Sequence, residues 1–231
     1  MAYPTIQSGT ASGAETSNVT GHPITMPTGV QTGELILVLF AVDGVETAVV
    51  NTAASGNNWT RTKTDATSGS HTIAVFWKIA EASNALTVDT TSEMAAFIAY
   101  RITGFYTTVP ITICTTVATS TTGNMDPPAL TPAYGAKDYL WIVFGGADGS
   151  PATTAAPGDF SGLINIDGGN GNGATASSAY RQYNTASEYN PGTFTNENDD
   201  WLAYTLVVNP TDAGGSGGLG FNLSYKLVAL A

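Results

Sequence analysis

The sequence predicts an all-β protein, a single jelly-roll-like β-sandwich built from two repeated four-strand halves, with little or no helix. Three observations carry that expectation. Apolar residues alternate with a period of two in several segments; no stretch keeps a helical period beyond a turn or two; and one pattern is written twice along the chain. Pro23–Gly44 (PITMPTGVQTGELILVLFAVDG) matches Pro128–Gly149 (PALTPAYGAKDYLWIVFGGADG), with Pro23, Pro27, Leu35, Val38, Asp43 and Gly44 falling on Pro128, Pro132, Leu140, Val143, Asp148 and Gly149. Further on, Thr91–Ile102 lies over Thr195–Leu206, with Thr, Glu and the pair Ala-Tyr identical.

The elements follow in order. Residues 1–21 are rich in Thr, Ala and Gly and read as an N-terminal arm. Pro23 and Pro27 mark a pre-strand segment, because proline cannot donate to a ladder. Leu35–Val42 is apolar on both faces, as a central covered strand requires, and ends in Asp43-Gly44, a dipeptide that accepts positive φ and turns the chain. His71–Ile79 alternates, with Ile73, Val75, Trp77 and Ile79 on one face; Ala96–Ile102 does the same. Ile79–Ala85 is the best helical candidate, and Ser83 with Asn84 weakens it. The second half repeats the plan: Pro128 and Pro132, then Tyr139–Phe144, apolar on both faces, then Asp148-Gly149. Gly168–Gly173 (GGNGNG) reads as a loop, Asp212–Gly220 as a link, and Phe221–Leu230 as a final strand. The domain plan is an arm at 1–21, a sandwich over 22–211 with repeats at about 22–106 and 127–210, and a Gly-rich link with a C-terminal strand at 212–231. Two tandem immunoglobulin-like domains are the weaker plan, since each half has too few strands and no linker separates them near 107–127.

Composition narrows the function. Hydrophobic residues make up 42% of the 231 residues and charged ones only 11%, which describes a folded chain with a polar, weakly charged surface. Seven basic against 18 acidic residues give a charge of −11, a field that repels phosphate backbones, so nucleic acid is not an expected partner. Cys114 is the one cysteine, so no internal disulfide can form. No basic and then apolar leader opens the chain, and the longest apolar run is far too short for a bilayer, so neither a secretory signal nor a membrane is expected.

Catalytic kits are missing. His22 and His71 lie in no nucleophile context, and zinc would need clustered Cys and His. Asn196–Asp200 (NENDD) offers oxygens of the kind calcium takes, with a solvated acidic loop as the plainer reading. No cofactor is expected. GGNGNG lacks the Lys-Ser/Thr of a phosphate loop. Aromatic side chains are the better clue to binding: Tyr180, Tyr183 and Tyr189 cluster around Arg181. Tyr180 falls on Phe76 of the first half and reads as core, which leaves Tyr183 and Tyr189 as candidate contact residues, with Phe221 and Tyr225 on the final strand.

A Thr/Ala/Gly-rich start, PTGVQTGELILVLFAVDG, a tryptophan in NNWTRT, SGSHTIAVFWKIA, AAFIAYRITGF and the closing PGTFTNENDDWLAYTLVVNP together resemble the small, cysteine-poor β-sandwich virion proteins of tailed bacteriophages. The resemblance covers roughly 20–210 and rests on cadence, with no active-site motif to transfer. It implies a non-enzymatic structural protein of the virion exterior, a capsid decoration or cement protein that contacts the major capsid protein or other virion proteins, made in the host cytoplasm and assembled as a homo-oligomer such as a trimer. The alternative it implies is a tail or fibre module that binds a host-surface glycan.

Overall fold

The computed structural model describes residues 2–45, 50–51, 58–66, 70–169 and 173–213. Among the described residues strands are the only regular elements. The first half supplies β1 (Thr5–Ile6), β2 (Ala11–Ala14), β3 (Val19–Pro23), β4 (Leu35–Asp43), β5 (Val50–Asn51), β6 (Thr60–Ala66), β7 (His71–Ile79), β8 (Thr87–Glu93) and β9 (Ala95–Thr103). The second supplies β10 (Ile111–Ile113), β11 (Ala118–Ser120), β12 (Lys137–Asp148), β13 (Thr153–Ala155), β14 (Ser161–Asp167), β15 (Ala174–Thr185), β16 (Thr195–Asn196) and β17 (Trp201–Val208).

Each half closes one large antiparallel sheet, and the two sheets have the same plan. The first runs β1-β9-β4-β7-β6 with β2 also on β9; the second runs β10-β17-β12-β15-β14 with β11 also on β17. They lie face to face, β15 and β12 against β9, β4 and β7. Small sheets, β3-β8-β5 and β13-β16, complete each half. The all-β sandwich built of repeated halves is therefore present, and each half keeps its strands in its own sheet.

The central strands form where the sequence leaves no solvent face. Along β4, Leu35, Leu37, Leu39 and Ala41 face the opposite sheet, while Ile36, Val38, Phe40 and Val42 enter a second core with Ile24, Trp59, Phe76, Leu86 and Val88. Burying each large side chain stabilises by about 1.5–3 kcal/mol, so the apolar runs locate the centres of both sheets. Asp43-Gly44 and Asp148-Gly149 turn as expected. Gly44 and Gly149 have φ of 82° and 65°, and each preceding aspartate accepts the glycine N–H at 2.8 and 2.9 Å.

Several expectations change. Residues 1–21, read as an arm, carry β1 and β2, which pair with β9 as β10 and β11 pair with β17. The duplication thus reaches back beyond residue 22. Short edge strands dock through their backbones, so little sequence identity is needed to repeat them. Ile79–Ala85 is a turn instead of a helix: Asn84 accepts the Glu81 N–H and donates to its carbonyl, both at 2.9 Å. The buried Lys78 donates to Ser83 O at 2.9 Å and meets Glu81 at 3.0 Å. Tyr180 does not take the place of Phe76. Ala41 stands opposite Ile73 and its repeat-mate Gly146 opposite Ala176, which matches Tyr180 to Trp77. A slip of one residue turns a side chain to the other face, so Tyr180 lies partly buried at the facing interface, as Trp77 does.

The sheets approach one another closely at Gly146. A Cβ there would overlap Ile73 Cγ2 and stand 3.2 Å from the Ala41 Cβ. Neighbouring Gly145 faces outward, where a Cβ would meet only the flexible Met125 side chain. Gly146→Ala is expected to lose about 1–3 kcal/mol in chemical denaturation, and Gly145→Ala distinctly less. Equal losses would show that the close approach is not what limits residue 146.

Candidate functional site

Among the described residues, polar side chains gather at three places, two of them where the halves meet and one on the second sheet. The first is the end of the sandwich where β4 and β12 finish. His71 starts β7, fully buried, and its Nε2 lies 3.0 Å from Gly146 O in the other sheet. A carbonyl only accepts, so Nε2 carries the proton. Burial lowers the imidazole to about 4, leaving it neutral near pH 7. Beside it Ser70 donates to Asp200 Oδ2 at 2.9 Å. The repeat-mates Asp43 and Asp148 meet here. Burial pushes Asp148 up to about 6, with Asp43, Asp199 and Asp200 adding to the push. Burial raises Asp43 too, while hydrogen bonds from Gly44 and from Asp148 counter the rise. As pH falls Asp148 takes the proton and donates to Asp43.

The second place is the seam where β6 crosses β17. Tyr204 donates to Asp65 Oδ2 at 2.7 Å, Lys63 pairs with Asp65 at 2.9 Å, and the Lys63 ammonium sits 5.3 Å from the Tyr204 ring centre. Lys63 also donates to Thr115 O at 3.0 Å, tying β6 to the second half. Cys114 is buried beside this group, and burial raises its thiol, which keeps it protonated and unreactive.

The third lies on the outer face of the second sheet. The Arg181 guanidinium sits 4.2 Å from the Tyr183 ring centre and 5.0 Å from that of Tyr189, pairs with Asp159 at 2.9 Å and donates to the Tyr189 hydroxyl. Trp141 meets Tyr189 edge-on at 5.3 Å and Phe160 stacks on it at 6.4 Å. The structure thus brings Tyr183 and Tyr189 together around a cation of the chain itself, with cation–π contacts worth about 0.5–2 kcal/mol each. Phe221 and Tyr225, the other candidate contacts, lie outside the described residues.

The remaining candidates hold the scaffold. His22 bonds Glu15 through Nδ1 and Thr90 Oγ1 at 2.7 Å through Nε2. In NENDD, Asn196, Asn198 and Glu197 accept the backbone N–H groups of Met125, Gly123 and Ala152. Asp199 caps Asp200 N. Among the described residues no group of three His, Cys, Asp or Glu is placed to hold a metal ion. Lys63, Lys78, Arg101, Lys137 and Arg181 each hold a carboxylate of the fold. Glu34 shows the effect: burial, the largest single influence, works against its charge, but the hydrogen bonds from Arg101 at 2.9 and 2.7 Å, the one from Gln31 N and the Arg101 charge together outweigh it and hold the carboxyl below its ordinary value.

Sequence reasoning missed a groove of about 380 Å³ at the seam where β14 crosses β9, lined by Ile6, Gln7, Ser8, Thr10, Tyr100 and Tyr180 together with Gly162–Ile164. No period or motif signals it, because its walls come from both halves. No protein-family model, no curated protein and no solved structure matches the chain.

His71 and Asp148 act oppositely on stability as pH changes. His71 binds its proton less tightly when folded (about 4 against 6.5), so it contributes stability that rises with pH across that window. Asp148 binds its proton more tightly when folded (about 6 against 3.8), so stability falls as pH rises across that range. Asp148→Asn is expected to gain about 1 kcal/mol at pH 7, after allowance for solvent screening, with little gain near pH 4. Thermal melts at the two pH values check this; equal gains would exclude the carboxylate charge as the cause.

Proposed function

We propose that the protein is a structural component of a bacteriophage virion exterior, a capsid decoration or cement protein that works through protein–protein contacts, as a homo-oligomer. One observation carries this reading: the polar groups at the contact of the two sheets are engaged in joining the two halves. His71 bonds the Gly146 carbonyl, Lys63–Asp65 meets Tyr204, and Ser70 meets Asp200, so these three polar groups close the sandwich. A rigid, polar and acidic body with such an interior suits a part that is assembled, bears load and does no chemistry. The resemblance to virion β-sandwich proteins supplies the particle. A receptor-binding role for Tyr183 and Tyr189 on a tail or fibre has less support, because both rings hold Arg181.

Mass spectrometry and cryo-EM of density-purified particles from the phage that encodes the chain test the proposal. The chain is expected on the outer head surface in a copy number fixed by the capsid lattice, and particles lacking it are expected to release DNA at lower temperature. Absence from the particles would overturn the decoration role, and a position on the tail would replace it with the receptor-binding alternative.

A further inference from the structure

Each half meets the other along a seam, β6 beside β17 and β14 beside β9. By ladder register Lys63 and Asp65 on β6 occupy the places of Ile164 and Ile166 on β14. In sequence Tyr204 aligns with Tyr100, while the ladders set Tyr204 opposite Phe144 and Tyr100 opposite Leu37, so Tyr100 stands two residues further along its strand than the place of Tyr204. At the β6 seam the Tyr204 hydroxyl is met by Asp65, and Lys63 covers its ring. At the β14 seam the facing side chains are aliphatic, and the Tyr100 hydroxyl, fully buried, makes no hydrogen bond of normal geometry. Ser178 lies beside it and donates to Val143 O at 2.9 Å, at a geometry that makes its contact with Tyr100 weak. The groove of about 380 Å³ is lined in part by Tyr100.

We propose that this groove is a binding site for a neutral sugar unit, either a free monosaccharide or the end of a glycan chain. A buried hydroxyl without a partner is costly, so a ligand that supplies one gains the bond without displacing another. An apolar ligand would leave that cost in place. No charged side chain lines the groove, which disfavours anions and cations alike. What remains is a molecule with hydroxyls along one edge and C–H groups on its face. Tyr180 offers the matching aromatic surface, seated against Gly162, where a Cβ would collide with the ring and where φ is +64°. Gln7 is held through its amide nitrogen, by Thr5 O at 3.2 Å and Thr103 Oγ1 at 2.9 Å, and Ser8 and Thr10 add hydroxyls along the rim. The cavity size falls within the range of small-molecule sites. The inference is independent of where in a particle the chain sits.

Saturation-transfer NMR on the full chain tests it, with D-glucose, D-galactose, N-acetyl-D-glucosamine, cellobiose, lactose and chitobiose as probes and D-glucuronate as the charged control. At least one neutral sugar is expected to bind at about 10 mM or below. Tyr100→Phe is expected to keep its melting temperature or raise it, while weakening that sugar about fivefold or more. Tyr180→Ala is expected to abolish saturation transfer. Tighter binding of a disaccharide than of its monosaccharide would mark a glycan end; equal binding would mark a free sugar. The proposal is overturned if no neutral sugar binds, if Tyr100→Phe binds as the parent does, or if glucuronate binds as well as the neutral probes.

Discussion

The close approach of β12 to β4 and β7 at Gly146 is the constraint on which the rest of the structure depends. Two sheets with full side chains on both inner faces stand about 10 Å apart. Here Ala41 and Gly146, the same place in the two repeats, face one another with almost nothing between them. That thinness lets a short polar reach cross the interface, so His71 can bond the Gly146 carbonyl at 3.0 Å. It also brings the two Asp-Gly turns together at one end, which sets Asp43 against Asp148. The buried imidazole and the paired carboxyls are consequences of a glycine at one position.

Duplication explains the remainder, and departures from it are as informative as matches. Each half has the same sheet order, the same early edge strands and the same turn after its central strand. The two seams differ because β6 carries Lys63 and Asp65 where β14 carries Ile164 and Ile166. An ion pair that closes one seam against Tyr204 has no counterpart at Tyr100. Two copies of one sequence therefore make one joint closed by an ion pair and one that leaves a groove lined in part by Tyr100.

Much of the fold was legible and little of the site. Leu35–Val42 and Tyr139–Phe144 read as central strands because a run apolar on both faces can sit nowhere else. His71–Ile79 showed its period openly. The extension of β12 through Gly145 and Gly146 was not legible, since glycines in a strand read as a break; the facing Ile73 and Ala41 explain Gly146, and Met125 stands where a Gly145 Cβ would be. β1 and β2 escaped notice because TI and ASGA are too short for periodicity. Tyr183 and Tyr189 do cluster with Arg181, as their spacing suggested, but which face Tyr180 takes depends on a register that one residue of slip reverses. The unpaired Tyr100 hydroxyl is a matter of what stands across from it, which no single strand records.

The central claim is that the two halves are one cooperative unit joined through the Gly146 contact, with neither sheet stable alone. Trp59 and Trp77 report the first half, Trp141 and Trp201 the second. Urea unfolding followed by fluorescence, in one variant retaining only Trp77 and another retaining only Trp141, tests the claim most directly. The account predicts that the two transitions share one slope, with each midpoint matching that of the same variant followed by circular dichroism. Separate transitions, with one half unfolding while the other stays intact, would contradict it.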